Sequence, residues 1–238
     1  MSVYEDRRHA GRVLASVLAP YAGRDDLVVL ALPRGGVPVG YEVASRLGAP
    51  LDVLTVRKLG VPGHEEVAMG AIASGDIVVL DRPLIAALGL STDDVERVMA
   101  RERAELRRRE AAFRTPGALP AAELRTVILV DDGLATGATM RAAVAAVRTR
   151  SPGRLVVAVP VAAVAACREL AGEVDEIACL VRPMLLGAVG RWYDDFAPVR
   201  DDEVRAFLAR AARDQAERRQ RAAARGGAQL RPSLRVTT

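Results

Sequence analysis

Two adjacent carboxylates, Asp131 and Asp132, directly follow the apolar run Val127–Val130. Carboxylates can accept hydrogen bonds from vicinal hydroxyls and can help to hold a hard cation such as Mg²⁺. A continuous apolar run is typical of a strand that a parallel sheet buries on both faces. The pair is therefore predicted to lie at the tip of a buried strand, where it could bind a diol or a metal ion.

A loop of small residues separates the carboxylates from an Ala-rich helical segment at residues 140–147. Its candidate binding residues are Gly133, Ala135, Thr136, Gly137, Ala138 and Thr139. In such a loop, backbone N–H groups, two threonine hydroxyls and the positive end of a helix can converge on an anion. An isolated acidic pair is often just solvated, but this one occurs in register with the apolar run and the loop. Phosphate, diol and metal together describe a phosphorylated ribose.

A second candidate phosphate site comes after the apolar run Leu27–Leu32, where the next turn contains Arg34, Gly35 and Gly36. A pair of glycines lets the backbone approach a ligand closely, and the arginine fork suits phosphate oxygens. By itself, this short motif does not identify a function.

The stretch VILVDDGLATGAT matches, position for position, the 5-phosphoribosyl 1-pyrophosphate (PRPP) signature of the type I phosphoribosyltransferases. The chain resembles that family over roughly residues 3–210, and its VRKLG and PGHEE segments are most similar to a bacterial group of predicted members. The resemblance implies an α/β fold. We expect a doubly wound parallel sheet flanked by helices, with a small hood or cap and a long inserted helix.

The resemblance also implies roles for the residues of both loops. PRPP would be bound by Asp131, Asp132, Gly133, Ala135, Thr136, Gly137, Ala138 and Thr139. Pyrophosphate would be bound by Arg34, Gly35 and Gly36. The implied cofactor is Mg²⁺, held by the two aspartates largely through substrate hydroxyls and water.

In the family, the ribosyl 5-phosphate group passes from PRPP to a nucleophile, usually a base nitrogen, and pyrophosphate is released. A flexible loop after the second strand closes over the substrates and excludes water. Arg57 and Lys58 follow the predicted second strand, Leu51–Val56. They precede a Gly-rich segment that we expect to be a mobile loop, which returns through a short strand pair ending at Ile77–Leu80. Position therefore makes them candidate catalytic residues, although solvated charges at a strand end are the alternative.

The acceptor is not assigned by the sequence. Ala135 stands where hypoxanthine-guanine enzymes of the family usually carry an aspartate, so their base chemistry cannot be transferred. Trp192 and Tyr193 fall in the predicted hood, at about residues 182–200 with N-terminal contributions. These aromatic residues could stack on a planar base, or could equally fill the gap between the cap and the sheet.

Apolar periodicity predicts the elements that position these residues. Predicted helices span residues 5–19, 37–47, 91–114, 140–147, 162–170 and 202–215, and further strands span 155–161 and 176–181. The helix at 91–114 begins with a capping box, carries a solvated charged face and is interpreted as the insertion. The regular alternation of strands and helices favours parallel pairing with right-handed crossovers.

Length and composition limit the number of domains, the role of the cysteines, the location of the protein and its partners. The 238 residues suffice for one domain, predicted at 1–210, followed by a disordered basic tail at 211–238 with seven arginines and two acids. Cys167 and Cys179 are interpreted as buried free thiols. Without a spanning segment or secretory signal, we expect a cytoplasmic protein, and the family suggests a homodimer. Nucleic-acid binding is not expected, but a PRPP-sensing regulator that binds nucleic acid through the tail is the alternative function.

Overall fold

The computed structural model describes residues 2–113 and 126–228, and only the backbone of 225–228. The strands are β1 (Leu27–Ala31), β2 (Leu51–Val53), β3 (Val56–Val61), β4 (His64–Ala73), β5 (Ile77–Leu80), β6 (Thr126–Val130), β7 (Arg154–Val161) and β8 (Glu176–Val181). The α-helices are α1 (Arg7–Val17), α2 (Gly36–Leu47), α3 (Arg82–Ala87), α4 (Thr92–Phe113), α5 (Ala138–Arg148), α6 (Val164–Leu170) and α7 (Asp201–Ala228).

Five parallel strands form the main sheet in the order β2-β1-β6-β7-β8. Every residue of β1 and β6 is buried, because helices cover both faces. Val28 and Leu129 belong to the cluster that includes α5 and α6, whereas Val29 and Ile128 belong to the cluster that includes α1 and α2. The expected doubly wound α/β fold is confirmed.

The strand order reverses between β1 and β6. From β1 the chain runs outward to β2, and it later returns to the other side of β1 as β6. In open α/β sheets, such a switch point leaves a crevice outside the carboxyl ends of the two strands, where ligands bind. The segments that start at Leu32 and at Asp131 leave the sheet at this point.

A smaller antiparallel sheet has the order β3-β4-β5. Helix α4 covers one of its faces, where Leu59, Met69 and Ile72 pack with Val95 and Val98. The β3–β4 connection is tight, and Gly63 adopts a left-handed φ of 77°.

The prediction of one continuous strand at 51–56 followed by a mobile loop is wrong, whereas the strand pair predicted to end at Ile77–Leu80 is confirmed as β4 and β5. After β2, Thr55 N donates to Ser74 Oγ and Ser74 N donates to the Thr55 carbonyl, each at 3.0 Å. These bonds turn the chain out of the main sheet and into a hairpin. The alternating β-branched residues continue across this turn, so the sequence does not mark it.

Helix α4 confirms the predicted long helix within the described residues, and positions 114–125 lie outside them. Ser91 Oγ accepts from Asp94 N and donates to Asp94 Oδ2, so the capping box is formed as expected. The final helix, however, does not stop near residue 215.

Helix α7 continues to Ala228, so the prediction of disorder is wrong for 211–228, while 229–238 lie outside the described residues. Contacts with α2 explain the extension. Tyr41 Oη donates to Asp214 at 2.9 Å, and Arg218 Nη2 donates to the Ser45 carbonyl at 2.6 Å. No helix among the described residues is long and apolar enough to cross a membrane.

Candidate active site

Asp131 and Asp132 lie at the carboxyl end of β6, beside the switch point, and both are half-buried. The backbone N–H of Asp132 donates to Asp131 Oδ1 at 2.8 Å, which orients the first carboxylate. Burial raises the pKa of Asp131 well above its usual range, and the neighbouring charge of Asp132 raises it further. Burial also raises the pKa of Asp132, but Arg7 opposes that effect.

The glycine loop after β1 packs directly against these carboxylates. A Cβ atom on Gly35 would overlap Asp132 Oδ2 and lie 2.7 Å from its Cγ. A Cβ atom on Gly36 would lie 2.7 Å from the Val130 carbonyl oxygen and 2.9 Å from Asp131 Cα. Only glycine permits so close an approach. The glycine loop and the acidic pair, which are almost a hundred positions apart in the sequence, are thus in direct contact in the structure.

The loop from Ala135 to Thr139 leads into α5 at the same edge of the sheet. Its entry is fixed by Leu134, whose N–H donates to the Val161 carbonyl at 2.9 Å and whose carbonyl accepts from Ala163 N at 2.8 Å. Gly137 adopts a left-handed φ of 70° as the N-cap and has no side chain to cap the helix, while Thr136 Oγ1 accepts from the Ala138 N–H at 3.4 Å. Ala135, Thr136 and Thr139 are exposed, so N–H groups and hydroxyls are available to an anion.

Arg7, from the start of α1, is a site residue that sequence reasoning missed. Its Nε donates to Asp132 Oδ2 at 2.8 Å, and its Nη1 donates to the Ala197 carbonyl at 2.8 Å. Its Cζ lies 3.7 Å from the centre of the Phe196 ring. A helix-forming segment rich in arginine gives no signal that one of them turns toward the acidic pair.

Tyr193 is buried next to the backbone of Asp132. It is 5% exposed, and its hydroxyl donates to the Asp132 carbonyl at 2.5 Å. Its ring lies 5.4 Å from that of Tyr4 and 5.0 Å from that of Phe196, and burial raises the pKa of its hydroxyl above the usual range. For Tyr193, this placement favours filling the gap over stacking on a base.

Trp192 is half-buried, and its Nε1 donates to the Leu186 carbonyl at 3.2 Å. Backbone N–H groups of Val3 and Tyr4 donate to the Trp192 carbonyl, each at 3.0 Å. The N-terminal residues therefore pair with the segment around Trp192, next to the acidic pair.

Arg34 is exposed at the mouth of the glycine loop, where its Nη1 lies 3.4 Å from Asp201 Oδ1 at the start of α7. An exposed pair at this distance holds the arginine weakly, since such pairs contribute little free energy. Arg34 can therefore turn toward an incoming anion.

Arg57 and Lys58 lie in β3, so their expected position at a carboxyl end of the main sheet is wrong. Arg57 donates from Nε at 2.9 Å and from Nη2 at 2.6 Å to Glu102, a carboxylate of α4 that is 9% exposed and that sequence reasoning missed. Lys58 is exposed. Because side chains alternate along a strand, Lys58 lies on the same face of β3 as Val56. Val56 packs against the cluster that includes α5. The side chains of Arg57 and Lys58 thus point to opposite faces of the antiparallel sheet.

The acidic pair fits Mg²⁺ only together with a substrate. Among the described residues, no group of three or more His, Cys, Asp or Glu side chains could hold a metal. Mg²⁺ keeps several waters and is commonly bound by one or two carboxylates together with substrate phosphates. Asp131 and Asp132 supply that number of protein carboxylates.

A family match and the names of two relatives indicate the same family. The phosphoribosyl transferase domain matches residues 4–181. Two proteins, from two strains of Mycobacterium tuberculosis and each provisionally named as a phosphoribosyl transferase, are 45% identical over 217 residues, or 91% of this chain. The chain spans about half, 49%, of the length of these relatives. The crystal structure of TT1426 from Thermus thermophilus is 46% identical, with a TM-score of 0.79 covering 87% of this chain and 98% of that chain.

Proposed function

Because the chain belongs to the type I phosphoribosyltransferase family, we propose that it transfers the 5-phosphoribosyl group of PRPP to a nitrogen nucleophile and releases pyrophosphate. The observation that carries this proposal is the contact of Gly35 and Gly36 with Asp131 and Asp132 at the switch point. It brings a candidate pyrophosphate loop against a candidate ribose site, as a single PRPP molecule requires.

The 5-phosphate would bind in the loop from Ala135 to Thr139. Backbone N–H groups at the start of α5 and the hydroxyls of Thr136 and Thr139 are suitable donors, and the helix dipole favours the negative charge. Asp131 and Asp132 would accept hydrogen bonds from the ribose hydroxyls. Both sites lie in the one segment that joins β6 to α5, which suits the ribose and the 5-phosphate of a single molecule.

The leaving group would bind over the glycine loop. Backbone groups of Gly35 and Gly36 can approach its oxygens closely, and Arg34 can supply a bidentate fork. Lys58 is the better placed of the two basic residues in β3 for a further contact, while Arg57 anchors that strand to α4. Asp131 and Asp132 would hold Mg²⁺ together with the substrate, and the charge chemistry that Mg²⁺ supplies when bound is neutralisation of the leaving group.

In the reaction, the bond between the anomeric carbon and the pyrophosphate oxygen breaks, and pyrophosphate leaves with the electron pair. A bond forms between the anomeric carbon and the nitrogen of the nucleophile, and a proton on that nitrogen, where it carries one, passes to water. Charge separates in the transition state, so fixed donors and carboxylates at both ends contribute by electrostatic stabilisation and positioning. The proposal includes a homodimer, which rests on the family resemblance alone.

The experiment is an assay of pyrophosphate release from PRPP and Mg²⁺ with purines, pyrimidines, pyridine carboxylates and small amines. Release that depends on one acceptor supports the proposal and identifies the acceptor. Tight PRPP binding without release for any acceptor would contradict turnover and would favour the alternative, a PRPP-sensing regulator.

A further inference from the structure

The guanidinium of Arg7 joins three parts of the molecule at the candidate ribose site. It donates to Asp132 Oδ2 and to the Ala197 carbonyl, both at 2.8 Å, and it lies over the Phe196 ring. The Arg7 side chain is only 11% exposed. An arginine that combines a carboxylate, a carbonyl and an aromatic face has one strongly favoured orientation.

Asp132 is also held on its other sides. Its Oδ2 atom lies against Gly35, its N–H donates to Asp131, and its carbonyl accepts from Tyr193. Arg7 provides the only side-chain donor to this carboxylate among the described residues. Because Arg7 and Gly35 occupy the Oδ2 side, Oδ1 is the oxygen that can accept from a ligand.

We infer that Arg7 is a positioning residue of the ribose site, which holds Asp132 Oδ2 so that Oδ1 accepts a hydrogen bond from a ribose hydroxyl. This inference rests on the proposed function. Arg7 lies outside the PRPP signature and 125 positions from Asp132 in the sequence. Through Phe196 and Ala197, the same side chain ties the C-terminal aromatic segment to the site.

A purely structural role is the competing interpretation, because Arg7 also neutralises a carboxylate that is 15% exposed. That role would lower stability when Arg7 is removed, but it would not change the affinity of the folded protein for PRPP. The experiment must therefore measure the binding of PRPP and the melting temperature separately.

Arg7→Met is compared with Arg8→Met, which removes the same charge from the same helix. Arg8 contacts Glu42 at 2.7 Å and not the acidic pair. In calorimetric titrations with PRPP and Mg²⁺, we expect Arg7→Met to weaken binding about tenfold, as for the loss of a charged hydrogen bond. Arg8→Met should change the affinity by less than about twofold, as is usual for surface substitutions.

A double variant tests whether Arg7 affects PRPP affinity through Asp132. If Arg7 acts through Asp132, adding Arg7→Met to Asp132→Asn should cost less than about twofold further affinity, because coupled residues are not additive. A full additional loss of about tenfold would overturn the inference. If Arg7→Met does not fold, Arg7→Lys serves instead, since it keeps the charge but lacks the fork, and unchanged PRPP affinity in that variant would overturn the inference.

The positioning role and the proposed function fail in different ways. Unchanged affinity in Arg7→Met, with normal PRPP binding by the wild type, would overturn the positioning role alone. Lack of PRPP binding by the wild type would overturn the proposed function and the positioning role together.

Discussion

Gly35 lies so close to Asp132 that a Cβ atom at position 35 would come within 2.7 Å of the Asp132 Cγ atom. The loops that follow β1 and β6 are thus in direct contact, and a substitution in one displaces the other. The ends of β1 and β6 are brought together by parallel pairing, in which Ala31 is the partner of Val130. The geometry of the candidate site is therefore set by the sheet.

Gly35→Ala should impair binding more than folding. The added methyl group meets the end of a side chain, which can move, but the movement displaces the carboxylate proposed to bind ribose. We expect PRPP affinity to fall about tenfold or more, as for a lost charged hydrogen bond, with a smaller loss of stability. Titration calorimetry and thermal melting test this, with Gly172→Ala as the control because, apart from its chain neighbours, no described residue lies within 4 Å of a Cβ atom there. Unchanged affinity in Gly35→Ala would contradict the proposed contact.

Gly36→Ala should impair folding more than binding. A Cβ atom there meets backbone atoms of Val130 and Asp131, which cannot move without disturbing β6. We expect the free energy of unfolding to fall by about 1–3 kcal/mol, the usual range for overpacking. Urea denaturation of the two glycine variants side by side measures this, and a Gly36→Ala variant as stable as the wild type would show that the loops separate easily.

Arg57→Met and Lys58→Met should separate anchoring from catalysis. Removing Arg57 leaves the buried Glu102 with only Arg101 as a basic partner among the described residues, so we expect a loss of about 1–3 kcal/mol of stability. Lys58→Met should keep stability within about 0.5 kcal/mol and should lower the rate of pyrophosphate release. Denaturation curves and turnover numbers for both variants test this. An Arg57→Met variant that is fully stable but inactive would restore the catalytic role that the sequence suggests for Arg57.

Glu176 provides a pH-dependent contribution at the opposite edge of the sheet. It accepts from Tyr21 Oη at 2.6 Å and from Arg154 at 2.8 Å, and these bonds lower its pKa, with Tyr21 the larger cause. A lowered pKa in the folded state stabilises the protein above the unfolded pKa of about 4.3, and this stabilisation is lost as the pH falls through the folded value. Glu176→Gln should therefore lower the melting temperature at pH 7.

The control for this prediction is the same comparison at low pH. The difference between wild type and Glu176→Gln should start to shrink as the pH falls below about 4.3, and it should be smallest below the lowered folded pKa of Glu176, where both side chains are uncharged. A difference in melting temperature that is equal at pH 7 and at low pH would show that charge on Glu176 does not matter.

The sequence predicts the main sheet and the two loops because their signals are local. Continuous apolar runs mark β1 and β6, and the small residues that follow each run mark the loops. The contacts of Arg7 with Asp132 and of Arg57 with Glu102 could not be predicted, because an ion pair across the fold leaves no periodic pattern. Helix α7 was underestimated for a similar reason: its surface is charged, and the residues of α2 that support it, such as Tyr41, lie far away in the sequence.

The most direct test of the central claim is a calorimetric titration of wild type and Asp132→Asn with PRPP and Mg²⁺. Asp76→Asn is the matched control, since it removes an exposed carboxylate at a left-handed position that asparagine accepts readily. We predict saturable binding by wild type and Asp76→Asn, and affinity lower by about 10- to 100-fold in Asp132→Asn. Equal affinity in all three proteins would contradict the assignment of the acidic pair to the ribose of PRPP.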